Sequence, residues 1–300
     1  MEIQTRIANL IWGLVMNVLF NTFWTARFMR RSMDRILGAT VDELKAHYGY
    51  LKVGTETLDR IGMEWVSATA GPPRILLYLH GGGYFMGGTE SYRRWAFRMA
   101  HRFDSLVYLP EYRLAPEAPY PAALEDALAA FHKVREKHPT TPIFIGGDSA
   151  GAGLALALLF SLRDQGVKMP HGCFLLSPWA DLTGDAPTYR SNRWRDLWLS
   201  RRKTRKWAPW YAGGQDCKNP FISPVFGDFA GLPPLLVLVG EQEVLLDDAR
   251  TVAEKARQGK VSVELQVWPG MQHVWPIGLP QISESKEAMK TIASFLARTT

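Results

Sequence analysis

The chain reads as an α/β fold, a central and mostly parallel sheet with helices on both faces. Two observations predict it. From residue 75 onward, short apolar runs rich in β-branched residues alternate with longer helical patterns, the rhythm of a parallel sheet covered by crossover helices. The chain also has 300 residues with 47% apolar content, enough for one large core and a modest appendage.

The strands are read from short apolar, β-rich runs between the helical patterns. They are ILLYLH at 75–80, SLVYLP at 105–110, IFIGG at 143–147, CFLLS at 173–177, LLVLVG at 235–240 and VELQVW at 263–268. An earlier run, IGMEWVS at 61–67, is expected to add an antiparallel edge. Helical patterns lie between them at 92–102, 122–137, 150–165, 247–258 and 283–297. The interval from 178 to 234 breaks the rhythm with basic, Trp-rich helical text. An insertion after the carboxyl end of a strand stands where open α/β sheets bind ligands. Residues 1–48 and 184–211 are therefore read as a helical cap, with 49–183 and 212–300 as the catalytic domain.

The amino terminus admits three readings. From Ile7 to Ala26 there is no charge, about the length of a membrane span, but Asn9, Asn17, Asn21, Thr22 and Thr25 interrupt it. Glu2 and the lack of a small-residue cleavage site make a poor signal peptide. A helix packed over the active site is the leading expectation, ahead of a membrane-surface or dimer contact and a true span.

The formal charge is +6, and much of the excess falls between Tyr189 and Trp207, interleaved with Trp194 and Trp198. This stretch reads as the solvated face of a surface helix, with an anionic membrane surface as the alternative. No nucleic-acid motif accompanies it, so no nucleic-acid partner is expected. Two cysteines, Cys173 and Cys217, make no disulfide framework, which points to a reducing, cytoplasmic setting with membrane association left open. Eleven Trp residues suggest a site lined with large rings.

Gly147-Asp148-Ser149-Ala150-Gly151 matches G-x-S-x-G directly after a strand and before a helix, the setting in which that turn exposes a nucleophile and aims the next amide at an oxyanion. That placement makes the fold an α/β-hydrolase. His80-Gly81-Gly82-Gly83 closes the strand at 75–80. Three glycines let backbone amides approach one point, so Gly81, Gly82, Gly83 and Ala150 are the candidate oxyanion donors. No Gly-Lys-Ser/Thr follows, which disfavours a phosphate loop. His80 is expected to orient this loop.

In this fold the base follows the serine in the chain, leaving His171 and His273. His171 precedes a strand, on the wrong edge of the sheet, so His273, just after the last strand, is the candidate base. The acid comes from Glu241, Glu243, Asp247 or Asp248, after the strand ending at Gly240. Glu243 leads, and Asp247 and Asp248 are also suited to capping the helix that begins there.

With these residues placed, the sequence resembles the hormone-sensitive-lipase-like esterases, the bacterial family IV carboxylesterases. The resemblance rests on HGGG at 80–83, YRLAPEAPYPAALED at 112–126, GDSAG at 147–151, SPWADLT at 177–183 and HVW at 273–275. It implies a mobile cap and hydrolysis of short- to medium-chain acyl esters, with no metal or cofactor and a small-molecule ester as partner. A homodimer remains open. The family usually carries Asp where this chain has Glu243, which is expected to set His273 slightly farther out. The rival expectations are a small-molecule deacetylase or amidase sharing the same triad, and a receptor-like binding member of the fold. Retention of both Ser149 and His273 argues against the receptor.

Overall fold

The computed structural model describes residues 3–19, 25–58 and 61–299. Three helices come first: α1 (Ile3–Leu19), α2 (Ala26–Leu37) and α3 (Val41–Tyr48). The hydrolase core follows as β1 (Lys52–Leu58), β2 (Ile61–Ser67), β3 (Ile75–Leu79), α4 (Thr89–Phe103), β4 (Leu106–Pro110), α5 (Ala122–Lys137), β5 (Ile143–Asp148), α6 (Ala150–Asp164) and β6 (Gly172–Leu176). Then come α7 (Thr188–Ser191), α8 (Arg201–Ala212), β7 (Leu235–Gly240), α9 (Leu246–Gln258), β8 (Val263–Trp268), α10 (Trp275–Gly278) and α11 (Ser283–Arg298).

The eight strands form one sheet in the order β1-β2-β4-β3-β5-β6-β7-β8. β2 pairs antiparallel with β1 and with β4, and every later pairing is parallel. The chain is therefore an α/β-hydrolase fold. The apolar runs become buried strands because crossover helices cover both faces: β3, β5, β6 and β7 are buried throughout. β2 is antiparallel as expected but does not form the edge. β1, KVGTETL, lies outside it in a register from Lys52↔Ser67 to Leu58↔Ile61. α6 is buried from Ala150 to Leu162, so its apolar residues run all round it and not along one stripe.

The parallel order brings the carboxyl ends of β3, β5, β6, β7 and β8 to one edge, and the loops leaving them carry the site. Over that edge lie α2 and α8. α2 is fixed by Arg30, whose Nε donates to Phe85 O at 2.5 Å and whose Nη2 donates to Ala115 O at 2.5 Å and pairs with Glu117. The basic stretch is not one surface helix. It spans α7, a run of turns and the start of α8, and Lys203 within it is buried, donating to Asn17 Oδ1 at 2.8 Å and Trp198 O at 2.6 Å.

α1 ends at Leu19, and residues 20–24 of the uncharged stretch lie outside the described residues. Among the described residues no helix is long and apolar enough to cross a membrane. α1 packs beside the insertion, with no room for a Cβ between Gly13 and Leu197, and Trp12 meets Trp198 edge-on at 6.2 Å.

Candidate active site

Ser149 sits at the turn between β5 and α6 with φ 52°, a conformation side-chain-bearing residues avoid and functional turns retain. The turn is held from several sides. Ser149 N–H donates to Leu176 O at 2.8 Å, and its carbonyl accepts from Gly153 and from Trp179. Small residues are obligatory here. A Cβ on Gly151 would stand 2.1 Å from Leu79 O, and no backbone atom can yield that much.

Three loops bring the expected triad together. His273 Nε2 lies 2.9 Å from Ser149 Oγ, and His273 Nδ1 lies 2.8 Å from Glu243 Oε2. A carboxylate only accepts, so Nδ1 carries the proton and Nε2 presents its lone pair to the serine hydroxyl. His273 and Glu243 are almost wholly buried, and Ser149 is 8% exposed. The extra methylene of Glu243 does not push His273 outward, since both links have ordinary hydrogen-bond lengths.

Glu243 is held by its other oxygen. Oε1 accepts from Gly240 N at 2.5 Å and from Ser177 Oγ at 2.7 Å, and Ser177 Oγ in turn accepts from Val274 N at 3.1 Å. Ser177 thus ties the acid to the residue after the histidine. Sequence reasoning placed it inside a family motif without a role, because its two partners come from the loops after β7 and β8. Asp247 and Asp248 make no hydrogen bond to His273; both stand in the first turn of α9 as expected, without a side-chain capping bond. Asp247 accepts from Thr188 N and Asp248 from Ala180 N and Asp181 N, so both brace the loop after β6.

The glycine loop corrects one expectation. Gly81 N–H is taken by Asp148 Oδ1 at 2.9 Å, so it is not free to meet an oxyanion. Asp148 also accepts from Tyr78 at 2.8 Å and Tyr92 at 2.9 Å, and burial raises its carboxyl from the ordinary 3.8 to about 6. The carboxylate inside the elbow therefore anchors the loop, and Gly82 and Gly83 line the cavity beside Ser149. Gly82 takes φ 115°, and a Cβ there would strike Met86 O at 2.1 Å. His80 does brace the loop, through Nδ1 to Gly81 O at 2.8 Å and by stacking on Tyr112 at 4.1 Å. Burial lowers its pKa from the ordinary histidine value.

The insertion grips the triad loops, a feature spacing did not reveal. Asn192 donates to Glu243 O at 2.8 Å, and Gln272 accepts from Leu197 N and donates to Arg195 O, each at 2.9 Å. Asp196 accepts from Val244 N at 2.9 Å, and burial raises its carboxyl to about 6. Trp198 stands edge-on to His273 at 4.9 Å. The cavity above Ser149 is narrow, about 30 Å³, and its apolar wall comes from Met33, Met86, Trp179, Trp198, Leu199 and Trp207. Among the described residues no cluster of His, Cys, Asp or Glu suits a metal ion, and both cysteines are free thiols.

Known proteins resemble this chain in sequence and fold. The α/β-hydrolase fold family matches residues 76–277. An acetyl-hydrolase of Streptomyces hygroscopicus is 38% identical over 263 residues, covering 86% of this chain and 88% of the relative. A crystal structure of an esterase from the bacterial hormone-sensitive lipase family superposes with TM-score 0.88 at 34% identity, covering 97% of this chain and 98% of that one. EstE5, whose crystal was soaked with p-nitrophenyl butyrate, gives TM-score 0.86 at 34% identity over 95% of this chain and 97% of its own. This chain belongs to the α/β-hydrolase fold family and, within it, to the serine carboxylesterases of the hormone-sensitive-lipase type.

Proposed function

We propose that this esterase cleaves short-chain acyl esters, with Ser149 as nucleophile, His273 as general base and acid, and Glu243 as the acid that orients His273. The observation that carries the reading is the unbroken relay Ser149–His273–Glu243 at 2.9 and 2.8 Å, beside a cavity walled by three tryptophans. His273 Nε2 takes the hydroxyl proton as Ser149 Oγ attacks the carbonyl. The developing oxyanion is met by the amides of Gly82, Gly83 and Ala150. His273 then protonates the departing alkoxide, and a water activated by the same nitrogen cleaves the acyl-enzyme. The buried Glu243 carboxylate faces the imidazolium formed in each step.

Residues 1–48 and 184–211 act in this reading as a cap over the catalytic domain. Met33 from α2 and Thr204 and Trp207 from α8 close the cavity opposite the elbow, so they set acyl length. The narrow cavity and the acetyl-hydrolase relative favour short acyl groups. On the partner side, the reading is a small ester, with the outer face of the cap meeting either a membrane surface or a second copy of the chain. The test is the initial rate on p-nitrophenyl esters from acetyl to palmitoyl, with matched acetanilides alongside. Rates peaking at acetyl to butyryl support the reading. A maximum at palmitoyl, or turnover of the anilides alone, overturns it.

A further inference from the structure

α1 is built inside out for a helix in water. Its polar Thr5 and Asn9 face the protein, where Thr5 Oγ1 donates to Glu284 at 3.1 Å and Asn9 Nδ2 to Gly270 O at 3.3 Å. Met16 and Gly13 complete that inner side. Its outer side carries Ile7, Leu10, Ile11, Leu14 and Val15, between 42% and 57% exposed. These positions follow the i, i+3, i+4, i+7 spacing of one stripe. A soluble surface helix turns such a stripe inward, so the sequence has placed its apolar face toward something outside the chain.

The charge around the stripe selects the occupant. Between Ile3 and Met33 there is no Asp or Glu, while Arg6, Arg27 and Arg31 are present and exposed; Arg30 is held by Phe85, Ala115 and Glu117. The neighbouring loop that packs on Gly13 through Leu197 presents Trp194, 82% exposed, with the Arg193 guanidinium 5.4 Å over its ring. Aliphatic residues flanked by arginine and an exposed tryptophan match the acyl boundary and headgroups of an anionic bilayer. A second copy docking face to face would set these cations against their own kind.

We propose that α1 and the Trp194 loop seat this enzyme on anionic lipid surfaces, the helix lying in the interface plane with its outer stripe among the acyl chains. This names the partner of the cap and rests on the esterase reading only for the substrate, since adhesion is measured apart from turnover. The experiment is co-sedimentation of the full chain with vesicles of phosphatidylcholine alone or enriched in phosphatidylglycerol. Wild type and the double variant Leu10→Glu, Leu14→Glu are compared, neither residue lining the cavity.

Wild type is expected to sediment with the phosphatidylglycerol vesicles and to be released by salt. Each Leu→Glu exchange should lower partitioning about tenfold or more, from the lost burial of one aliphatic side chain. Hydrolysis of dissolved p-nitrophenyl butyrate should stay unchanged, which shows the variant folded. Equal sedimentation of the two proteins overturns the proposal. So does a wild-type dimer that the double variant converts to monomer without vesicle binding in either.

Discussion

Glu243 allows reach and charge to be separated at one position. Its carboxylate stands 2.8 Å from His273 Nδ1 with its other oxygen locked by Gly240 N and Ser177 Oγ. Glu243→Asp keeps the charge but retracts the carboxylate by about 1.5 Å, one C–C bond. The His273 contact then opens toward about 4 Å, beyond hydrogen-bond range. Losing a charge-assisted bond that fixes the imidazole is worth about 2–3 kcal/mol, or roughly 10²-fold in kcat. Glu243→Gln keeps the reach but removes the charge. With its carbonyl held by Ser177 and Gly240, its amide N–H₂ faces Nδ1 and selects the wrong tautomer, for a loss of roughly 10⁴-fold. The assay is kcat on p-nitrophenyl butyrate, with circular dichroism as the check on folding. The Gln variant should be the slower of the two. A fully active Asp variant, or a Gln variant faster than it, would refute the account of how this loop holds the acid.

Three further outcomes are expected. Ser177→Ala strips Glu243 of one donor and leaves the buried Val274 N–H without its acceptor; stability should fall by about 2–3 kcal/mol in urea unfolding and kcat by roughly tenfold, whereas wild-type values for both would remove Ser177 from the triad's support. Gly151→Ala drives a Cβ to within 2.1 Å of Leu79 O and 2.3 Å of His80 O, so the chain should lose more than about 3 kcal/mol or fail to fold; a stable, active variant would contradict the packing of the elbow. Burial lowers the Lys203 ammonium from 10.5 to about 8 despite the opposing pull of Asp196. Because the folded state releases that proton first, wild type should gain stability relative to Lys203→Met as pH rises from about 8 toward 10.5, and parallel melting curves across that window would refute it.

The sequence carried the sheet well because β3 to β7 are covered on both faces and so read as unbroken apolar runs. β1 escaped, since KVGTETL mixes Lys52, Gly54 and Glu56 with Val53, Thr55 and Thr57 on a half-exposed edge and gives a weaker pattern. The convergence of Ser149, His273 and Glu243 was legible because chain order and strand ends constrain it. Ser177 was not, because its role depends on where two other loops converge. Three adjacent glycines announced an oxyanion loop, but only the side chain of Asp148 decides that Gly81 turns its N–H away. In α1 Asn9 and Asn17 looked like interruptions of an apolar run, when Asn9 belongs with Thr5 to the inner face and the aliphatic residues form the outer one. Periodicity reports that a stripe exists; which way it turns is decided by partners elsewhere in the chain.

Covalent trapping by a p-nitrophenyl alkylphosphonate, followed by peptide mass spectrometry on wild type, Ser149→Ala and His273→Ala, tests Ser149 as the nucleophile. A single adduct on Ser149 that vanishes in the first variant and forms far more slowly in the second is the predicted result. An adduct on another residue, or ester turnover that persists in folded Ser149→Ala, would contradict it.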